Sequence, residues 1–180
     1  LTREGETILT ALPLYHIFCL TVNLMIFTKI GAHNILITNP RDIPALVKEI
    51  AKYRVTVITA VNTLFNALVN NAEFAHVDFS YFIIAVSHLK LSVGGGMAVQ
   101  KAVADKWQKI TKQPIIEAYG LTETSPGVCV NPVSSTAYSG NIGLPISNTD
   151  IDVRDGEGKS VGIGEAGELF VRGPQVMRGC

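Results

Sequence analysis

Residues 117–126 read Glu-Ala-Tyr-Gly-Leu-Thr-Glu-Thr-Ser-Pro, and no other stretch of the 180 gathers so much usable chemistry. They follow a short apolar run, Pro114-Ile115-Ile116, of the kind that ends a buried strand. The ring of Tyr119 can pack on a base, and Gly120 lets backbone approach a phosphate. Hydroxyls such as that of Thr122 donate to phosphate oxygens, and the Glu123 carboxylate suits a hard cation such as Mg²⁺. The same composition also fits a strand followed by a polar loop in which Thr-Glu-Thr-Ser starts a helix. A second strand-like run, Leu89–Val93, ends in Gly94-Gly95-Gly96. In an open parallel sheet, ligands bind outside the carboxyl ends of strands, where backbone is accessible. The triplet is not a G-x-G-x-x-G fingerprint, and it is not a Walker loop, since no Gly-Lys-Ser/Thr follows. Alone it describes a tight turn; ending a strand next to that of Tyr119, it makes a wall for a base. His16 sits among Leu14, Tyr15, Ile17 and Phe18, the setting of a core or pocket-lining histidine.

The elements that must position these residues alternate along the first two-thirds of the chain. Strand patterns fall at Thr7–Leu12, His33–Thr38, Val55–Ala60, Leu89–Val93 and Ile115–Ala118. Helical patterns fall between them at Tyr15–Ile30, Arg41–Tyr53, Thr63–Asn70 and Ala98–Thr111. In the second of these, Ile43, Leu46, Val47 and Ile50 form one stripe; in the last, Val99, Val103, Trp107 and Ile110 point inward. Asn62 or Thr63 is the expected cap of the third helix. Repeated strand–helix units imply an α/β fold, a mostly parallel sheet with helices on both faces. After about Asn131 the chain turns rich in Ser, Gly, Pro and Asn. Thr149–Arg154 and Glu168–Arg172 then alternate as half-buried strands around the turn Asp155-Gly-Glu-Gly158. The expected division is an α/β part, 1–131, and the start of a small β-rich subdomain, 132–180. Asp152, Asp155 and Glu157 lack the spacing of a calcium loop.

At 47% hydrophobic and 17% charged residues, the chain is too apolar for a disordered segment. Its formal charge is zero and no basic run interleaves with aromatics, so nucleic acid has no electrostatic footprint to bind. Lys101, Lys106, Lys109 and Lys112 lie along the exposed side of one helix. Cys19, Cys129 and Cys180 form neither a C-x-x-C pair nor a secreted framework, and a cytoplasmic setting is the default. The most apolar stretch, residues 17–30, is shorter than a bilayer span and carries Asn23 and Lys29, which predicts a buried core helix.

Residues 117–126 resemble the nucleotide-binding signature of the adenylate-forming enzymes: acyl-CoA synthetases, luciferases and peptide-synthetase adenylation domains. Four further motifs occur in the family's order. They are Ala11-Leu-Pro-Leu-Tyr-His-Ile-Phe18, Val61-Asn-Thr-Leu-Phe-Asn-Ala-Leu68, Leu91-Ser-Val-Gly-Gly-Gly-Met97 and Gly167-Glu-Leu-Phe-Val-Arg-Gly-Pro174. Pro-Leu-Tyr-His-Ile-Phe, Val-Asn-Thr-Leu-Phe-Asn-Ala-Leu and Gly-Pro-Gln-Val-Met look most like bacterial long-chain fatty-acid–CoA ligases. The resemblance implies ATP and Mg²⁺, with fatty acid and CoA as substrates and possible peripheral contact with the inner face of a membrane. It places Gly94, Gly95, Gly96, Glu117, Ala118, Tyr119 and Gly120 around the nucleotide, with Tyr119 on the adenine. Thr122 would meet the α-phosphate and Glu123 would hold the metal, the two forming the catalytic pair. His16, Val93 and Gly95 would face the acyl group; Leu64, Phe65 and Leu68, like Val93, are tunnel candidates and equally good core residues. The family's upstream phosphate loop, its Tyr-x-Thr-Gly-Asp motif and its C-terminal lid do not occur in these residues. The expectation is therefore a central piece of a larger ligase, without turnover and with weak or undetectable ATP affinity by itself; the alternatives are another adenylating enzyme, such as an aryl-CoA ligase, or a non-catalytic α/β nucleotide-binding module.

Overall fold

The computed structural model describes residues 5–80 and 88–179. Five short strands assemble in parallel: β1 (Thr7–Thr10), β2 (His33–Leu36), β3 (Val57–Ala60), β4 (Leu91–Gly94) and β5 (Ile115–Gly120). β6 (Gly127–Val130) and β7 (Leu144–Pro145) continue the sheet in antiparallel fashion, giving the order β2-β1-β3-β4-β5-β6-β7. A separate ribbon pairs β8 (Asp150–Arg154) with β9 (Glu168–Arg172). The Asp155–Gly158 turn is present, with Asp155 Oδ1 accepting the Glu157 and Lys159 amides. It is not a simple hairpin, however. The returning chain pairs briefly, through the Arg154↔Ser160 bridge and the bond from Val161 N to Val153 O at 2.9 Å, before β9 begins at Glu168.

Helices lie on both faces, because neighbouring strand residues point to opposite sides. Leu9 and Ile58 enter a large core with α2 (Ile43–Tyr53), α3 (Asn62–Val69) and α4 (Lys101–Thr111), while Ile8 and Val57 pack with Phe27 on the other face. At the centre of the larger core, Trp107 meets Phe65 edge-on at 4.7 Å and Phe74 in a stack at 5.2 Å. Its buried indole N–H donates to Ser92 Oγ at 3.0 Å, so the ring contributes apolar area without an orphaned donor. α2 starts as its residues dictate, with Asp42 accepting the Ala45 amide at 3.1 Å. α3 does not. Neither Asn62 nor Thr63 caps it; the cap position is Val61, and Asn62 Oδ1 accepts the Gln100 amide at 2.9 Å instead. That bond joins the starts of α3 and α4, a tertiary use that outweighs the local one.

The stretch expected as one buried helix from Tyr15 to Ile30 differs in two ways. It winds as a π-helix over Cys19–Ile26 and continues as the single turn α1 (Phe27–Lys29). Only one side is covered: Leu24 is 38%, Met25 60% and Ile26 47% exposed. The covered positions Cys19, Asn23 and Phe27 recur every four residues, a spacing the wider i→i+5 winding brings near one line. Asn23 is fully buried and fully used. Its amide donates to Leu9 O and Thr10 Oγ1, and its oxygen accepts from Thr59 Oγ1 at 2.8 Å. Among the described residues, no helix is long and apolar enough to cross a membrane.

His88 is a weak point of the fold. It is buried, and among the described residues neither ring nitrogen has a hydrogen-bond partner within bonding geometry. Its ring stacks on Phe79 at 5.5 Å, with Arg54 and Asp78 as the charged neighbours. Burial, and then the Arg54 guanidinium, hold its pKa below the usual histidine value despite the opposing pull of the Ser80 backbone and of Asp78. A depressed folded pKa means that protonation favours the unfolded chain. Stability is intact above the unfolded value of about 6.5 and declines as pH falls from there toward the folded value. His88→Leu should flatten that decline and add about 1 kcal/mol at neutral pH, since two buried nitrogens no longer lack partners. Urea melts at pH 7.5 and 5.5 check both; an unchanged pH slope would contradict it.

Candidate nucleotide site

The two loops singled out by the sequence are neighbours. β4 and β5 pair in register Ser92↔Ile115, Val93↔Ile116 and Gly94↔Glu117, so the glycine triplet leaves the sheet beside Ala118-Tyr119-Gly120. The space that a side chain on Gly95 would fill is bounded by Phe18 Cε1 at 3.2 Å and the Ala118 carbonyl oxygen at 3.4 Å. Gly94 and Gly95 are buried and Gly96 is exposed, with φ +77°. Tyr119 is half-buried at the bulge where β5 stops pairing regularly with β6.

Beyond Gly120 the chain makes a single 3₁₀ turn, Thr122–Thr124, rather than starting a helix. Ser125 at φ 55° and then Pro126 end it at once. Thr124 is buried and structural: its hydroxyl accepts the Leu121 amide at 3.0 Å and donates to Pro126 O at 2.5 Å. The Leu121 amide also reaches Pro126 O at 2.9 Å. Thr122 and Glu123 are left exposed on the outside of this turn. The Glu123 carboxylate makes no ion pair among the described residues, and no cluster of three or more potential metal ligands occurs among them. A single hard carboxylate at an open position fits Mg²⁺, which keeps several waters and binds through one or two carboxylates plus substrate phosphates.

Glu117 has another occupation. One carboxylate oxygen accepts from Ser139 N at 3.1 Å, Ser139 Oγ at 2.8 Å and Gly140 N at 3.0 Å. Tyr138 donates its hydroxyl to Val99 O at 2.8 Å, and Asn131 Nδ2 bonds Asn141 O at 2.9 Å. Together they hold the loop 138–141 against the strand that carries Tyr119. Sequence reasoning missed this loop, because its anchors lie far apart in the chain and each is an ordinary polar residue.

His16 is exposed rather than a core residue. Its Nδ1 accepts the Phe18 amide at 3.2 Å, two residues before the ring that touches Gly95. Val93 is half-buried in β4. Phe65 and Leu68 are wholly buried in the core. Leu64 lines a crevice of about 380 Å³ at the ends of β1 and β3, together with Leu12, Pro13, Arg41 and Val61. Cys19 and Cys129 are buried, and burial raises the Cys19 thiol to about 11 and pushes Cys129 up, which disfavours the reactive thiolate at both.

The chain belongs to the AMP-binding enzyme family, whose match runs over residues 1–180. A long-chain-fatty-acid–CoA ligase of Yersinia pestis is 58% identical over 174 residues, which make up 97% of this chain and 30% of that protein. Among solved structures, the anthranilate CoA ligase AuaEII in complex with anthranoyl-AMP superposes with a TM-score of 0.85 at 23% identity, over 97% of this chain and 33% of the other. The ATP-bound RpMatB-BxBclM chimera B3 does so with a TM-score of 0.79 at 25% identity, over 99% of this chain and 33% of the other. The chain thus spans about a third of the length of the proteins it matches.

Proposed function

We propose that these residues form the nucleotide-facing part of an ATP-dependent long-chain-fatty-acid–CoA ligase. The observation that carries the reading is the Gly94↔Glu117 pairing, which sets the glycine triplet beside the Tyr119 turn. The 58% identity to a ligase of that name supports the substrate class. In the proposed reaction a fatty carboxylate attacks the α-phosphorus of ATP and pyrophosphate leaves; the CoA thiolate then displaces AMP and forms the thioester. A bound Mg²⁺ would neutralise charge on the phosphate oxygens as the attack proceeds.

The chain's own groups do the rest. Gly94, Gly95, Gly96 and Ala118 present backbone to a purine, and Tyr119 offers its ring. Thr122 donates its hydroxyl to the α-phosphate, and Glu123 holds the metal. Glu117 acts at one remove, keeping the 138–141 loop beside the purine wall. His16, Val93 and Gly95 border the acyl side, His16 as a wall or gate rather than a base.

The test is pyrophosphate exchange by the full-length protein across fatty and aromatic carboxylates. Exchange driven by long fatty acids is expected, and exchange restricted to aromatic acids would overturn the substrate class. Tyr119→Ala should raise the KM for ATP about tenfold or more, the worth of one aromatic–base stack, while sparing that for fatty acid. Equal losses for both substrates would remove Tyr119 from the base.

A further inference from the structure

The Glu123 turn is held from two sides by parts of the chain remote from it. On one side Thr21, from the π-helix, donates its hydroxyl to Ser125 O at 3.2 Å. On the other, the Met177 amide donates to the carbonyl of Glu123 itself at 2.8 Å. Met177 lies just past β9, in a tight turn closed by Val176 N to Gly173 O at 3.2 Å. One side chain in that turn ties it to the body of the domain. Gln175 Nε2 donates to Gly127 O at 3.0 Å and to Thr149 Oγ1 at 2.8 Å, using both of its amide protons. Gly127 begins β6 immediately after the signature turn, and the buried Thr149 precedes β8.

We propose that Gln175 is a positioning residue for adenylation: it fastens the Gly173–Met177 turn so that the Met177 amide grips the Glu123 carbonyl and fixes how the Glu123 carboxylate is presented. The proposal rests on the reading of Glu123 as the metal-holding carboxylate. Glu123 is exposed, and beside the turn's own bonds the Met177 amide is the remote group that holds the Glu123 carbonyl itself. With that carbonyl held, the side-chain torsions are what remain to be ordered when a cation binds. A shift of about 1 Å in a catalytic group can cost a hundredfold, so two hydrogen bonds at Gln175 can act on chemistry they never touch.

The experiment compares Gln175→Leu, Thr149→Val, Glu123→Gln and the double variant Gln175→Leu/Glu123→Gln in the full-length protein. Gln175→Leu should expose the Met177 amide, accelerating its hydrogen exchange about tenfold, as expected for losing the bonds that hold the turn. The Mg²⁺ concentration giving half-maximal pyrophosphate exchange should rise about tenfold, by the same loss, with the KM for fatty acid unchanged. Thr149→Val removes one of the two acceptors and should give a smaller shift of the same kind. In the Glu123→Gln background, Gln175→Leu should move the Mg²⁺ requirement no further, because the two act as one unit. An unchanged Met177 exchange rate, or a full tenfold shift persisting without the Glu123 carboxylate, overturns the proposal. If Glu123→Gln itself leaves the Mg²⁺ requirement unmoved, the reading of Glu123 fails and takes the positioning role with it. If Glu123→Gln moves it and Gln175→Leu does not, only the positioning role falls.

Discussion

Glu123→Gln is expected to slow adenylate formation by about 10²–10³-fold in the full-length enzyme while leaving its stability almost untouched. The size follows from loosening the hold on a cation that would offset charge developing on the phosphate oxygens in the transition state. The sparing of stability follows from position. Glu123 lies exposed on a 3₁₀ turn and makes no ion pair among the described residues, so a substitution of equal shape should cost within about 0.5 kcal/mol. The turn is held by backbone and by Thr124, neither of which the substitution alters. Pyrophosphate exchange measured across Mg²⁺ concentrations, beside a thermal melt, separates the two effects. Near-normal exchange at every concentration would take Glu123 out of the metal role.

The second large effect is expected at Gly120. A methyl group there would run into the Pro126 carbonyl, with its carbon at 2.7 Å and the Gly127 Cα at 3.2 Å. These are backbone atoms of the same tight turn, and they cannot rotate aside as a side chain would. Gly120→Ala should therefore break the Leu121–Pro126 bond and cost about 3 kcal/mol, the upper end for overpacking. It should also abolish most adenylation, since Thr122 and Glu123 ride on the displaced turn. Gly156→Ala serves as the control: a methyl there meets nothing within 4 Å, and stability should hold. Equal stability of the two variants in urea would show that the turn yields more easily than its contacts imply.

How far these residues announce their own arrangement depends on the range of the forces involved. The runs Val57–Ala60 and Ile115–Ile116 are apolar enough to require burial on both faces, and a parallel sheet follows from that. The stripe of α4, with Val103 and Trp107 buried and the lysines outside, is likewise a property of spacing alone. The composition of residues 117–126 fits a nucleotide turn and a plain strand-and-loop equally well, and it is the ordered resemblance to a family signature that singles the stretch out.

The π-helix is different. Its neighbours in sequence support an ordinary helix, and the wide winding serves Asn23, whose partners Leu9, Thr10 and Thr59 are supplied by strands of the sheet. Glu117 looks like a ligand-facing carboxylate until Ser139 and Gly140 are folded against it. Asn62 looks like a cap until Gln100 arrives. Residue types and short-range periodicity thus set which elements form and where chemistry is possible. Partners distant along the chain assign each polar group its task, because a hydrogen bond is specific only once folding brings donor and acceptor within about 3 Å. The clasp from Met177 to Glu123 is of that second kind.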